Sequence, residues 1–281
     1  MEPERIPATR APHGCDLPVR MEKHMPLIKT SNPALGENTY RDVARMQYGG
    51  TIDAAARMTL SGTVNKTGIL LLCALATAAW TWNIFTQTHN PASVAGLLTI
   101  GALGGLVVAF VTIFKKEWSA VTAPIYALLE GLVLGGLSAV FNARHPGIAF
   151  EAVGLTFATL FVLLFAYKTR LIRVTRTFAM GVFAATGGIM LFYFAQMILG
   201  FFHANAFSSV NGAGTIGIAF SLFVVAIAAL NLVLDFNFVE QGVAYGAPKY
   251  MEWYSAFGIM VTLVWLYLEM LRLLSKLNSR R

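Results

Sequence analysis

Charge is scarce in this chain. Only 12% of its 281 residues are Asp, Glu, Lys or Arg, and 56% are hydrophobic. A soluble domain carries about 25% charged residues, so this sequence cannot clothe a water-facing surface of ordinary composition. Cysteine is nearly absent. Cys15 lies in a polar tail and Cys73 in an apolar run; the two define neither a disulfide framework nor a metal spacing, and both read as free thiols. Residues 1–20 contain no apolar core of the kind a cleavable signal peptide needs, so none is expected. Phosphate-loop and hydrolase signatures are missing too. Gly101-Ala-Leu-Gly-Gly105 lacks the lysine of a phosphate loop, and neither Gly-x-Ser-x-Gly nor His-Glu-x-x-His occurs. The net charge of +7 comes from basic residues spaced between apolar runs rather than gathered on one face, which excludes a nucleic-acid partner.

What the chain does have is long apolar stretches. A spanning helix needs about 20 mostly apolar residues. Seven runs reach that length: 68–87, 92–114, 119–141, 149–167, 177–201, 214–236 and 251–274. Backbone groups in lipid must be bonded within their own segment, and no alternating barrel pattern is present. The expected fold is therefore all-α, a polytopic membrane protein of seven transmembrane helices. Residues 1–67 read as a cytoplasmic leader, tail-like over 1–38, with either an irregular segment or a short amphipathic helix over 39–66. Residues 68–275 form the helical domain and 276–281 a basic tail.

Breaker sequences separate the runs, among them His89-Asn-Pro91, Asn142-Ala-Arg-His-Pro-Gly147 and Gly246-Ala-Pro248. Gly131 and Gly135 form a small-xxx-small pair, which reads as close helix packing. With the N-terminus inside, Lys and Arg number 16 on the inner side and 5 on the outer, so N-inside is expected. The C-terminal Arg272, Lys276, Arg280 and Arg281 fall on the wrong side of that count. Either the last segment crosses fully or it re-enters and returns.

The acids inside these runs carry the chemistry. Glu130 lies in the middle of run three. Asp235 comes late in run six with Asn231 one turn earlier, and Glu269 sits in run seven. An Asp at a helix centre costs about 2.5–3.5 kcal/mol to insert, so the bundle should turn such groups inward, paired or wetted. A carboxyl pair sharing a proton titrates as a unit and offers hard oxygen ligands suited to Ca2+. Each acid has a plainer reading as well. Asp235 could face headgroups from a span end, and Glu269 could pair locally with Arg272 at i+3. Glu240 and Glu252 flank the last hairpin and would face each other at its mouth. His145 and His203 fall in loops placed outside, where pH sensing is an alternative to plain solvation.

At these residues the chain resembles the Bax inhibitor-1 family of multi-spanning membrane proteins, in a bacterial branch with a longer leader. The resemblance rests on Ala127-Leu-Leu-Glu-Gly-Leu-Val-Leu-Gly135, Leu232-Val-Leu-Asp235 and Leu266-Tyr-Leu-Glu269, in order, and covers roughly residues 60–275. It implies a last helix wrapped centrally by the other six. It also implies a pH-sensitive Ca2+ leak in which an acidic pair on spans six and seven senses protons, with Ca2+ competing. Carried over by motif, that pair is Asp235 and Glu269. The family usually has Asp where Glu269 stands, and its hairpin is shorter than the 34 residues here. Pairing Asp235 with Glu269 would centre the turn at residue 252, whereas the breakers centre it near 246; Asp235 could instead meet Glu252. The expected partners are the bilayer, the cations Ca2+ and H+, and a membrane protein. No cofactor is expected other than Ca2+. The function implied is a leak channel rather than an enzyme. A non-transporting adaptor for a membrane protease or stress machinery, docking through the leader, is the alternative from another class.

Overall fold

The structure is a computed structural model that describes residues 57–201 and 208–280. Seven long helices account for most of it: α1 Leu60–Thr88, α2 Pro91–Phe114, α3 Ser119–Arg144, α4 Ile148–Lys168, α5 Arg176–Phe201, α6 Thr215–Ala244 and α7 Met251–Asn278. All seven are long and apolar enough to cross a membrane. The chain is an integral, multi-pass membrane protein. The segment 1–38, most of 39–66, Cys15 and His203 lie outside the described residues.

Local chemistry sets the helix ends. Thr59 caps α1 by accepting from the Gly62 N–H at 3.0 Å, and His89 ends that helix in the left-handed region at φ 49°. Asn90 then caps α2 through the Ala92 N–H, with Pro91 at the first helical position. Gly147, at φ 92°, turns the chain between α3 and α4, and its N–H donates to Asn142 Oδ1 at 2.8 Å. Gly246, at φ 66°, sits in the six-residue turn between α6 and α7. Glycine is needed there because a side chain strains against that backbone angle.

α7 is the core element. It is the most buried of the seven and packs on α1, α3, α4 and α6. α5 reaches it through side chains, and α2 packs one layer further out, on α1 and α3. The expectation of a central last helix holds, with four near neighbours. Helix α7 runs unbroken from Met251 to Asn278, so the re-entrant alternative is not what the chain adopts. Its ends therefore lie at opposite ends of the bundle: a leader end, where residue 57 enters beside the α6–α7 turn, and a far end.

The Gly131–Gly135 pair is the contact between α1 and α3. A Cβ on Gly131 would collide with the Ala74 carbonyl oxygen, and one on Gly135 with that of Ala78. Gly136, on the other flank of α3, is closed down on by Leu98 of α2 at 2.8 Å from where its Cβ would be. The faces turned outward are apolar, including Ile100, Leu103, Val107 and Phe110 on α2 and Phe161, Val162 and Phe165 on α4. With lipid as the surrounding solvent, close small-residue packing replaces the hydrophobic drive between helices.

Candidate functional site

Three acids lie along the α6–α7 hairpin, at three depths. Counted from the turn at 1.5 Å per residue, Glu252 stands about 2 Å into the helices, Asp235 about 14 Å and Glu269 about 27 Å. Asp235 is thus separated along the axis by about 13 Å from Glu269 and about 12 Å from Glu252. The turn spans 245–250, as the breakers indicate, and this register places Asp235 level with Met260. Neither expected pairing forms. The axial offset separates Asp235 from both acids, and among the described residues no group of three or more His, Cys, Asp or Glu side chains could hold a metal ion.

Each acid has surroundings of its own. Glu269 is 3% exposed. Its Oε1 accepts from the Tyr193 hydroxyl of α5 at 3.0 Å and from Arg272 Nη1 at 3.1 Å. Arg272 also donates to the Tyr193 oxygen at 2.7 Å and lies 5.1 Å from the centre of that ring. The local pairing with Arg272 is present: the Glu269 carboxylate is buried, the Arg272 side chain stays 46% exposed at the bundle's surface, and the pair takes in Tyr193. This closed triangle is where α5 is tied directly to α7.

Asp235 is fully buried in the middle of the bundle. Asn231, one turn away and 2% exposed, donates to Thr186 Oγ1 of α5 at 2.8 Å and to the Ile227 carbonyl at 2.9 Å. Thr186 in turn bonds back to Val182 O, so this polar level links α5 to α6. Glu130 is half-buried on α3. Tyr126, one turn earlier, hydrogen-bonds to it, and Gly105 of α2 leaves it room, with Oε2 at 3.4 Å from that glycine's would-be Cβ. Eleven residues into α3, Glu130 lies about 16 Å from the leader end, within a few ångströms of the depth of Asp235.

Glu252 has no exposed surface. Its Oε1 accepts from both the N–H and the hydroxyl of Thr59, each at 2.8 Å, and from Lys249 Nζ at 3.1 Å; its Oε2 pairs with Lys66. Glu240 is exposed and accepts from the Tyr167 hydroxyl. The two acids expected to face each other across the hairpin mouth therefore point to different partners: Glu252 to the start of α1 and Glu240 to α4. His145 is bonded to Ser279 Oγ at 3.2 Å, and Cys73 is a free thiol.

Three partners of buried polar groups are not legible in the sequence: Tyr193, Thr59 and Lys276. Tyr193 lies 76 residues from Glu269 and Thr59 lies 193 from Glu252. Lys276 is 8% exposed, and its ammonium donates to the carbonyls of Val210 and Gly217 and to Ser221 Oγ, at 2.8–3.1 Å. Its placement inside a run of leucines was the available signal, because a lysine there needs acceptors.

Residues 29–279 match a family model described as Bax inhibitor 1 like. The chain belongs to the Bax inhibitor-1 family. The match begins well before residue 60, so the family's sequence pattern takes in much of the leader as well as the seven helices. No curated protein and no solved structure matches the chain.

Proposed function

We propose that this Bax inhibitor-1-like chain is a pH-sensitive cation leak, with Ca2+ as the ion carried, and that its control rests on separate carboxyls rather than on one acidic pair. The observation that carries this reading is the Glu269–Tyr193–Arg272 triangle. An ionised Glu269 holds Arg272 and orients the Tyr193 hydroxyl, so α5 stays drawn to α7. Protonation removes the charge that Arg272 answers, and the triangle loses its strongest contact. α5 packs on α6 and has this polar tie to α7, so it is the element freest to shift when the tie weakens. Asp235, Asn231 and Thr186 supply a second polar level at mid-depth, and Glu130 lies at nearly the same depth on α3. Hard carboxyl oxygens at successive depths suit stepwise passage of a divalent cation, each site holding it weakly enough to release it.

The reading places the leader end in the cytoplasm of a bacterial inner membrane. It also makes proton arrival at Glu269 the opening signal: flux rises as pH falls. The test is Ca2+ entry into dye-loaded vesicles containing the purified full chain. Glu269→Gln, which mimics the protonated group, should raise flux at neutral pH and flatten its pH dependence. Asp235→Asn should lower flux while leaving a pH response. Unchanged flux and unchanged pH dependence in both variants would overturn the proposal. If wild-type vesicles carry no Ca2+ at any pH while removal of residues 1–38 abolishes capture of a membrane partner, the adaptor function takes its place.

A further inference from the structure

The loop between α4 and α5 carries a feature the leak reading does not use. Lys168, Arg170, Arg173 and Arg176 fall within nine residues, and all four are exposed. Among the described residues none of them lies within ion-pair distance of a carboxylate; the ion pairs there belong to Lys66, Lys249 and Arg272. The loop is nonetheless held in place. Arg170 adopts φ 57°, which turns the chain back so that the N–H groups of Leu171 and Ile172 both donate to the Ala166 carbonyl, at 3.0 and 3.4 Å. A non-glycine residue pays for that left-handed angle in strain. Val174 packs into a cluster with Ala179, Val182 and Leu234, which fastens the other limb of the loop to α6. Leu171 is left 74% exposed at the tip.

The helices below the loop add a second observation. α4 and α5 are consecutive in sequence and each packs on α6, yet they make little contact with one another. Their exposed faces are apolar. Phe165, Phe161 and Phe157 recur at i, i+4 and i+8 on α4, with Met180 and Phe183 on the first turns of α5. Within the first ~16 Å from the loop, about half the hydrocarbon thickness, these rings offer wall for one leaflet's acyl chains. Cations at the interface sit directly above apolar faces.

We propose that the α4–α5 loop binds the phosphate of an anionic phospholipid, with Arg170, Arg173 and Arg176 as its cationic contacts, Leu171 inserted beside the headgroup, and the acyl chains lying on the exposed faces of α4 and α5. Guanidinium groups suit this ligand because their fork of donors meets phosphate oxygens two at a time. Four juxtamembrane cations match the charge pattern of segments that recognise anionic headgroups. The site stands whether or not the protein conducts Ca2+.

The full-length chain in neutral detergent supplies the test. Lipid adducts are counted by native mass spectrometry and thermal unfolding is followed, with phosphatidylglycerol, phosphatidylcholine or inorganic phosphate added. Phosphatidylglycerol should raise the unfolding midpoint and appear as adducts, and the other two should do neither. Arg170→Gln with Arg173→Gln should weaken apparent affinity roughly 30-fold, at about one kcal/mol for each cation lost. Arg57→Gln with Lys115→Gln, which removes two exposed cations from the same end, should leave it unchanged. Equal effects of the two phospholipids, an equal effect of phosphate alone, or equal loss in the control pair would overturn the proposal. A photoactivatable phosphatidylglycerol tests the same point in the wild-type chain. Crosslinks within 161–183 support the site, and crosslinks spread evenly over the leader end overturn it.

Discussion

Glu252 is the residue whose environment is most fully determined. Four donors converge on its carboxylate, two from Thr59 and one each from Lys66 and Lys249. It also sits at the positive end of the α1 dipole. The cavity it needs is provided by Gly62, since a Cβ there would occupy the carboxylate's own position. Gly62→Ala should therefore act on Glu252 rather than on helix propensity: alanine favours a helix, yet this change should lower the unfolding midpoint in detergent. A rise in the midpoint would show that the carboxylate moves aside at no cost. Glu252→Ala should be more severe, about 3–5 kcal/mol, because it strands Lys66 beside Trp253 without its counter-charge. Glu252→Gln keeps an acceptor for Thr59 but turns an amide donor toward a lysine, and its loss should fall between wild type and Glu252→Ala in the same unfolding experiment. The sequence made the acidity of Glu252 plain and its partner invisible. Nothing local links it to Thr59, and the nearer acid, Glu240, is drawn off by Tyr167.

At the level of elements, the hydrophobic runs were legible because insertion into lipid demands length and apolarity, and these can be counted. The ends were less legible. α1 begins at Leu60, eight residues before its apolar run, and α6 continues to Ala244, eight past Phe236. The added turns hold polar groups such as Asn65, Lys66, Asn237 and Glu240, which a hydropathy count discards. A 30-residue helix is about 45 Å long against a hydrocarbon core of about 30 Å, so such turns project beyond the lipid and can be polar. The extra length of the α6–α7 hairpin also undoes the pairing carried over from the family. The turn obeyed its breakers, so the acids had to fall at different depths. Packing of α3 is the sharpest element-level prediction. Gly135→Val drives its Cβ into the Ala78 backbone, and α1 must move away from α3. Overpacking of this kind costs about 1–3 kcal/mol or more, so the unfolding midpoint should drop clearly. Gly181→Val on α5, where a Cβ meets nothing within 4 Å, should show no comparable drop in the same assay.

At the scale of the molecule, the charges at the far end looked like a contradiction of the inner-side count, and the bundle removes much of it. Arg272 is engaged by Glu269 and Tyr193, and Lys276 spends its three donors on Val210, Gly217 and Ser221. Lys276 is buried and holds helices together at the end of α7, so it carries little weight as a topology signal, whereas Arg272 ties α5 to α7 and remains 46% exposed. The loops at the leader end keep theirs exposed: Lys115, Lys168, Arg170, Arg173, Arg176 and Lys249. Under the positive-inside rule, these exposed Lys and Arg side chains would place the leader end in the cytoplasm, as proposed above. With Cys15 and Cys73 replaced by serine, a cysteine at Thr88 should react with a membrane-impermeant maleimide in intact cells, and one at Thr169 should react only after the membrane is opened. Both threonines are exposed and stand at opposite ends of the bundle, so the two labels must differ if the chain has a single orientation. The reverse pattern would put the four-cation loop outside. It would also expose Glu269 to cytoplasmic rather than external pH, so the acid that opens the proposed leak would have to come from within the cell.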